Sequence, residues 1–246
     1  MSGTVPCSFR RVEKKYLLTS QQYKQMCAGM APYMEADQYT HYTICNLYYD
    51  TEDYALIRAS LEKPVYKEKL RMRSYGIPGN RDKVFVELKK KYDGVVYKRR
   101  VVMEASAAQR YISHGIQPEH EEQIHHEIDW FMRFYQPEPR VFIGYEREAY
   151  AGIELPDLRI TFDTGLRWRT DHLDLRQGQE GNPLLPPDQI LMEIKIPGAA
   201  PVWLAHLLSE IEAYPTSFSK YGTYYKQQIL GQTAPQKLQL EVMTCA

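Results

Sequence analysis

Lys69, Arg71 and Arg73 occupy alternate positions in Lys69-Leu-Arg-Met-Arg-Ser-Tyr75. In an extended strand alternate side chains leave from one face, so these three cations would stand together. Val84-Phe-Val-Glu-Leu-Lys-Lys-Lys91 repeats the spacing with Glu87, Lys89 and Lys91. Gly94-Val-Val-Tyr-Lys-Arg-Arg-Val-Val-Met103 adds Lys98 and Arg100. Like charges side by side on a sheet repel, so their recurrence over consecutive strands points to a polyanion lying across them. Arg donates two parallel hydrogen bonds to phosphate oxygens, whereas Lys is a compact point charge. Several of each imply a chain of phosphates rather than a single carboxylate.

Other strand-like runs carry the same alternation. Arg11, Glu13 and Lys15 share one face, as do Tyr145 and Arg147, and Glu193 and Lys195 in Leu191-Met-Glu-Ile-Lys-Ile196. Arg159-Ile-Thr-Phe-Asp163 places further polar groups at period two. Two roles are open to Glu13, Glu87 and Glu193. They suit a hard divalent cation that bridges phosphate oxygens, and they equally suit ion pairs that keep the cations from repelling.

Other chemistries find less support. Neither a P-loop nor a GxGxxG occurs, so no glycine cradle would hold a nucleotide. Ser217-x-x-Lys220 lacks the Ser-Asp-Asn and Lys-Thr-Gly partners of a serine acyl-enzyme. His120, His125 and His126 are not spaced i, i+4 and read as surface residues rather than a metal box. Most tyrosines fall in strands, where packing rather than base stacking is the expected role. Cys7, Cys27, Cys45 and Cys245 form no CxxC, which argues against zinc and a disulfide framework and for a reducing compartment.

With 31 basic and 31 acidic residues the net charge is zero, which excludes a global attraction to nucleic acid or an anionic membrane. Any electropositive site is local, because Glu119, Glu121, Glu122, Glu127 and Asp129 gather in one segment while the cations sit on strands. No apolar run is long enough to span a bilayer, and the N-terminus lacks a signal-peptide stretch. A cytoplasmic protein without a membrane segment of its own is expected.

The elements that must position these residues follow from period and punctuation. Strands are predicted over Phe9 to Leu18, Tyr42 to Tyr49, three runs between Lys69 and Met103, Arg140 to Tyr150, Leu158 to Arg169 and Ile190 to Ile196. Thr19-Ser20 and Asp50-Thr51 offer caps for helices ending near Met30 and Ser60. Ser106 and Glu119 open two more, and another runs from Trp203 to Glu212. Asp93-Gly94 makes a tight turn, Asp171 to Pro187 is a long loop, and a short helix follows Ser217-Phe-Ser-Lys-Tyr-Gly222. The expectation is one α+β domain over residues 1–246, with a core of about 9–229 and a loose tail over 231–246. An antiparallel sheet with an apolar and a charged face is expected, and a closed or strongly curved sheet with a polar interior would enclose the cations.

Eight motifs occur in order: Arg-x-Glu-Lys-Lys-Tyr16, Asn46-Leu-Tyr-Tyr-Asp-Thr51, Leu70-Arg-Met-Arg-Ser-Tyr-Gly76, Val86-Glu-Leu-Lys-Lys-Lys91, Tyr145-Glu-Arg147, Arg159-Ile-Thr-Phe-Asp-Thr164, Met192-Glu-Ile-Lys195 and Phe218-Ser-Lys-Tyr221. Together they resemble the catalytic domain of the vacuolar transporter chaperone family, within the triphosphate tunnel metalloenzymes. The resemblance spans about Phe9 to Ile229. It implies an eight-stranded antiparallel β-barrel with helices packed outside, and transfer of the ATP γ-phosphate to a growing inorganic polyphosphate chain. It also implies that Lys15, Arg71, Arg73, Lys89, Lys98, Arg147 and Arg159 bind phosphates in the lumen. Lys69, Lys91 and Lys195 extend that set through the strand periodicity. Tyr145 and Ser219 would be further contacts, and Lys220 would stand near the transferred group. By the same resemblance Glu193 holds Mn²⁺ or Mg²⁺, with Glu13 and Glu87 as helpers. Arg11 stands where the wider superfamily carries the first acid of Glu-x-Glu-x-Lys, which disfavours a water-activating role. Two alternatives remain open: a tripolyphosphatase or nucleoside triphosphatase of the same fold, and a non-catalytic polyphosphate-binding module. Neither oligomeric state nor recruitment by a membrane partner can be read from the residues.

Overall fold

Alternation along the cationic runs is realised in one antiparallel sheet. The structure is a computed structural model that describes residues 11–93, 95–118 and 122–231. Its strands are β1 (Arg11–Thr19), β2 (Met34–Asp50), β3 (Tyr66–Tyr75), β4 (Lys83–Tyr92), β5 (Val95–Glu104), β6 (Glu138–Gly152), β7 (Arg159–Arg169), β8 (Asn182–Pro183), β9 (Gln189–Pro197) and β10 (Pro215–Thr216). The order is β10-β1-β9-β7-β6-β2-β3-β4-β5, with β8 added to β7. Eight long strands are therefore present, joined by two of two residues each, and the ladder stays open between β5 and β10. The expected barrel is thus a curved sheet that no hydrogen-bonded seam closes. Lys14 and Lys15 from one margin and Lys91 from near the other line the gap, and cations facing one another oppose zipping.

Helices α1 (Ser20–Met30), α2 (Ala55–Leu61), α3 (Ala105–His114), α4 (Gln123–Tyr135), α5 (Val202–Glu210) and α6 (Lys220–Tyr224) complete the described fold, and α6 runs into a π-helical turn over Tyr225–Ile229. Thr19 caps α1 reciprocally: its Oγ1 accepts from the Gln22 N–H at 3.2 Å, and its own N–H donates to Gln22 Oε1 at 3.0 Å. Asp50 and Thr51 cap α2 from a distance, accepting from the N–H groups of Ala55, Leu56 and Ile57. These side-chain acceptors satisfy donors that a helix start leaves unpaired.

Two apolar clusters cover the outer face of the sheet. Leu70, Met72, Val86 and Leu88 pack with Ile128 and Phe131 of α4 and Ala108 of α3. Leu18, Phe162, Met192 and Ile194 pack with Met26 of α1 and Leu204 of α5. A third cluster lies on the inner face, where Tyr48, Val141, Ile143 and Leu191 meet Tyr221 and Tyr224 of α6 and Ile57 of α2. Not every helix is outside, then. α6 sits within the curve because its tyrosines cover the apolar half of the inner face.

His125 corrects a sequence expectation: it is buried, and its Nδ1 accepts from the Glu122 N–H at 2.8 Å at the start of α4. His126 is exposed as expected. The expectations for Phe9 and the N-terminus, Gly94, Glu119, His120, Glu121, the 232–246 tail, Cys7 and Cys245 lie outside the described residues. Among the described residues no helix is long and apolar enough to cross a membrane.

Candidate functional site

The odd-numbered residues of β3 and β4 and the even-numbered ones of β5 face inward. Lys69 stands opposite Lys89, Arg71 opposite Glu87 and Glu87 opposite Arg100, with Lys98 beside Lys89. From the other side β1 and β9 place Lys15 opposite Glu193 and Glu13 opposite Lys195. A cavity of about 230 Å³ collects them. It is lined by Lys15, Lys69, Arg71, Arg73, Lys89, Lys98, Arg147, Lys195 and Lys220, against the carboxylates Glu13, Glu87 and Glu193, with Tyr48, Tyr145 and Ser219. Nine cations against three carboxylates leave a net positive wall that calls for an anion.

Two buried carboxylates hold this wall together. Glu87, 2% exposed, accepts from Arg71 Nε at 2.5 Å, lies 2.6 Å from Lys98 Nζ and has Arg73 at 3.8 Å. Burial opposes its charge, but Arg71, Arg73 and Lys98 outweigh burial and bring its carboxyl down to about 2. Asp163 of β7, with no exposed surface, accepts both arms of Arg147 at 2.6 and 2.7 Å and Lys220 Nζ at 2.6 Å. Lys220 remains charged despite burial, because Asp163, Tyr145 and Glu193 raise it above the ordinary lysine range. Its Nζ also lies 4.3 Å from the Tyr145 ring centroid, with Arg147 at 5.3 Å from the same ring, a cation–π arrangement.

Glu193 lies among Lys15 (3.3 Å), Arg147 (3.7 Å) and Lys220 (3.8 Å). Burial pushes its carboxyl up, but Lys220, Lys15 and Arg147 hold it well below the usual carboxylate range. Glu13 lies 3.8 Å from the same Lys15 ammonium. Among the described residues no three carboxylate, His or Cys groups converge as a complete metal cage. Glu13 and Glu193 still offer two carboxylates beside the cationic wall, oxygen donors of the kind a hard divalent cation such as Mg²⁺ or Mn²⁺ would take. Glu87 fits that role poorly, since Arg71 and Lys98 already engage its two oxygens.

Lys220 is delivered by a five-residue helix that needs outside anchors. Tyr221 Oη donates to Asp50 Oδ2 at 2.8 Å, and the Tyr221 ring stacks on Tyr48 at 5.0 Å. Ser219 caps the helix, accepting from the Gly222 N–H at 3.3 Å. At Gly222 a Cβ would meet Leu61 Cδ2 at 3.1 Å, so glycine lets α6 lie close against α2. Tyr48 responds to the wall: burial would raise its phenol, but Arg71, Arg73 and Lys220 lower it overall.

The structure gathers most of the sequence-derived site residues into this cavity, with two exceptions. Lys91 lines an adjoining outer cavity, and Arg159 lines neither, pairing instead with Asp37. From the sequence Asp50 has a capping role only, and Asp163, Asn46 and Tyr48 have no role at the site. Asn46 orients Arg73, whose Nε donates to its Oδ1 at 2.8 Å. Asp163 had a signal in its period-two relation to Arg159; the others sit among apolar neighbours, and only tertiary packing reveals them.

Comparison with known proteins bears on the fold and the family. A protein of Hippeastrum, described as a candidate adenylyl cyclase with a dominant triphosphatase activity, aligns with a TM-score of 0.51 at 15% identity, over 92% of this chain and 98% of its own. A Vibrio parahaemolyticus protein described as a candidate adenylate cyclase aligns at 0.46 and 11% identity, over 87% and 97%. At such identities the likeness concerns the fold alone, and only the first TM-score is high enough to bear on it. A search of curated proteins gave no significant match. The VTC domain matches residues 10–229, nearly all of the described chain, and the protein belongs to the VTC-domain family.

Proposed function

We propose that the protein is a phosphotransferase that moves the γ-phosphate of ATP onto the end of an inorganic polyphosphate chain in the cationic cavity. The observation that carries this reading is the wall of nine cations against three carboxylates. Phosphoryl transfer asks little covalent chemistry of a protein; it needs alignment of the reacting oxygens and neutralisation of charge. Arg71, Arg73 and Arg147 offer forked donors to phosphate oxygens, and Lys220 sits where it can neutralise charge on the transferred group. A terminal phosphate oxygen of the acceptor is the nucleophile, so no Ser or Cys need be activated. Mg²⁺ or Mn²⁺ on Glu193 and Glu13 supplies further neutralisation of phosphate oxygens when bound.

Hydrolysis of triphosphate is the second reading, favoured by the activity described for the Hippeastrum protein. It needs a base able to take a proton from water, best with a pKa near the working pH. Glu87 and Glu193 are instead held ionised by cations, far below that range. Neither carboxylate is therefore that base, whereas Lys69, brought down to about 7 by burial and its cationic neighbours, lies within that range. Incubation with ATP and Mn²⁺, followed by gel analysis of phosphate polymers, tests both. Long chains with ADP are expected; free phosphate without chains would establish hydrolysis, and unchanged ATP despite tight binding would leave a binding module.

A further inference from the structure

Toward one end of the strands the inward face changes from charge to rings. On β3 the inward series runs Lys69, Arg71, Arg73 and then Tyr75; on β4 it runs Lys89, Glu87 and then Phe85. In register, Arg73 faces Phe85, and Phe85 faces Val102 of β5. Tyr75 faces Ile44 of β2, and two residues before Ile44 stands Tyr42, opposite Arg147 of β6. Arg73 and Arg147 both line the inner cavity. The rings therefore form a rim that begins where the cationic wall ends.

Tyr75 meets Tyr42 and Phe85 edge to face, with ring centroids 5.5 Å apart in each pair. The Arg100 guanidinium lies 5.0 Å from the Phe85 centroid. Pairs of this geometry stabilise one another, and a guanidinium over a ring adds a cation–π contact. Packing among themselves does not bury them: Tyr75 keeps 50% of its surface exposed and Val102 47%. Tyr42 lies deeper, where burial raises its phenol and the Arg147 guanidinium lowers it. Ring surface open to water at the margin of a charged cavity is surface that a flat apolar group would cover with gain.

We propose that the rim of Tyr42, Tyr75, Phe85 and Arg100 is a stacking site for the base of a nucleoside triphosphate whose phosphates occupy the inner cavity. The proposal rests on reading that cavity as a phosphate site. A nucleoside triphosphate has a charged end and a flat, uncharged end, and the inward face presents cations and rings in the same order. From Arg71 to Tyr75 is four residues of strand, about 13 Å, so phosphates and base are engaged along one line. With the base on the rim, the γ-phosphate is the end that reaches furthest into the cavity. Aromatic faces and guanidinium planes accept any base, because every base has a π-face. The rim therefore adds affinity for a nucleotide over a bare triphosphate. It favours purines, whose larger ring system stacks over more area, without choosing between them.

The test uses the full chain with EDTA present, so that no turnover disturbs binding, and measures the affinities of ATP, CTP and tripolyphosphate. ATP is expected to bind more tightly than CTP. Tyr75→Ala with Phe85→Ala should weaken ATP by at least about fivefold, the lower end of what one stacked base contributes, and leave tripolyphosphate unchanged. Tyr75→Trp with Phe85→Tyr should retain the ATP affinity. The triphosphate of 2-aminopurine riboside, whose fluorescence falls when its base stacks, should be quenched by the unaltered protein and not by the alanine variant. Tyr75→Ala alone, at a half-exposed position, should show the same pattern to a smaller degree if the double variant fails to fold. Unchanged ATP affinity in the alanine variants would overturn the rim, as would equal weakening of ATP and tripolyphosphate or the absence of quenching. If ATP yields no polymer but its affinity alone depends on the rings, the polymerase reading fails and the base site stands. If polymer forms while nucleotide binding ignores the rings, the reverse holds.

Discussion

Asp163→Asn tests whether a buried carboxylate holds the cationic cavity together. Asp163 is fully enclosed and receives three charged hydrogen bonds, two from Arg147 and one from Lys220. Asparagine keeps its shape and one acceptor oxygen but leaves two cations buried without their main counter-charge. Removing one partner of a buried ion pair costs about 3–5 kcal/mol; with one acceptor kept, the lower end, about 3 kcal/mol, is expected. In a chain of this size each kcal/mol moves Tm by roughly 2–4 °C, so a fall of roughly 6–12 °C should follow. Bound anion supplies the missing charge. Saturating tripolyphosphate should therefore raise the variant's Tm by more than it raises that of the unaltered protein, since a ligand stabilises in proportion to its affinity for the folded state. Thermal melts at constant ionic strength, with and without tripolyphosphate, give both numbers. An unchanged Tm without ligand would refute the counter-charge argument. So would a ligand-induced rise that is equal or smaller in the variant, for Asp163 would then serve to aim Arg147 rather than to balance it.

Arg71→Ala should lower turnover with ATP by about 10²–10³-fold, the effect of removing one preorganised charge donor, with circular dichroism unchanged; near-normal polymer formation would place the reacting phosphates elsewhere. Glu193→Gln should abolish the response of activity to added Mn²⁺, and a variant still fully active and metal-requiring would move the ligand to another residue. Glu87 contributes stability that is present above about pH 4.5 and lost as pH falls toward 2, because its folded pKa lies below the unfolded one. That contribution amounts to roughly 3 kcal/mol, so Glu87→Gln should flatten the acid limb of a urea-unfolding pH profile, and an unchanged limb would remove Glu87 as the hub. Lys69, brought down to about 7 by burial and neighbouring cations, should take up a proton when tripolyphosphate binds at pH 8. Titration calorimetry in buffers of different ionisation enthalpy would reveal this, and identical heats in all buffers would exclude it.

The cationic strands were legible in the sequence because period two fixes which residues share a face. Lys69, Arg71 and Arg73 needed no tertiary information to be placed together, and the Thr19 and Asp50-Thr51 caps announced the helices they start. Closure was not legible. Whether β5 meets β1 depends on strand tilt and on what lines the gap, neither of which alternation encodes. The placement of α6 was hidden too, since its tyrosines read equally well as a helix packed outside. Arg159 shows the limit from another side: its period was right, but Asp37, from a distant part of the chain, takes its guanidinium. His125 lies beside charged and polar neighbours in sequence, and only the start of α4, where its Nδ1 accepts the Glu122 N–H, accounts for its burial.

Lys220 ties folding to chemistry. A helix of five residues has no stability of its own, since nucleation costs more than so few hydrogen bonds return. Its position therefore depends on tertiary anchors, and Asp50 is the main one. That carboxylate accepts from Tyr221 Oη and, at the same time, from the Leu56 and Ile57 N–H groups that open α2. α2 and α6 are thus fixed by one buried group, and Gly222 against Leu61 sets how closely they approach. Asp163 then receives the Lys220 ammonium at the other end. Each of these contacts is made by the protein's own groups, so the fold itself holds the Lys220 ammonium at the inner cavity. For a reaction catalysed by charge placement this matters, because no part of the binding energy is needed to bring Lys220 into position. Weakening the Tyr221–Asp50 bond should therefore lower turnover although neither residue lines the inner cavity.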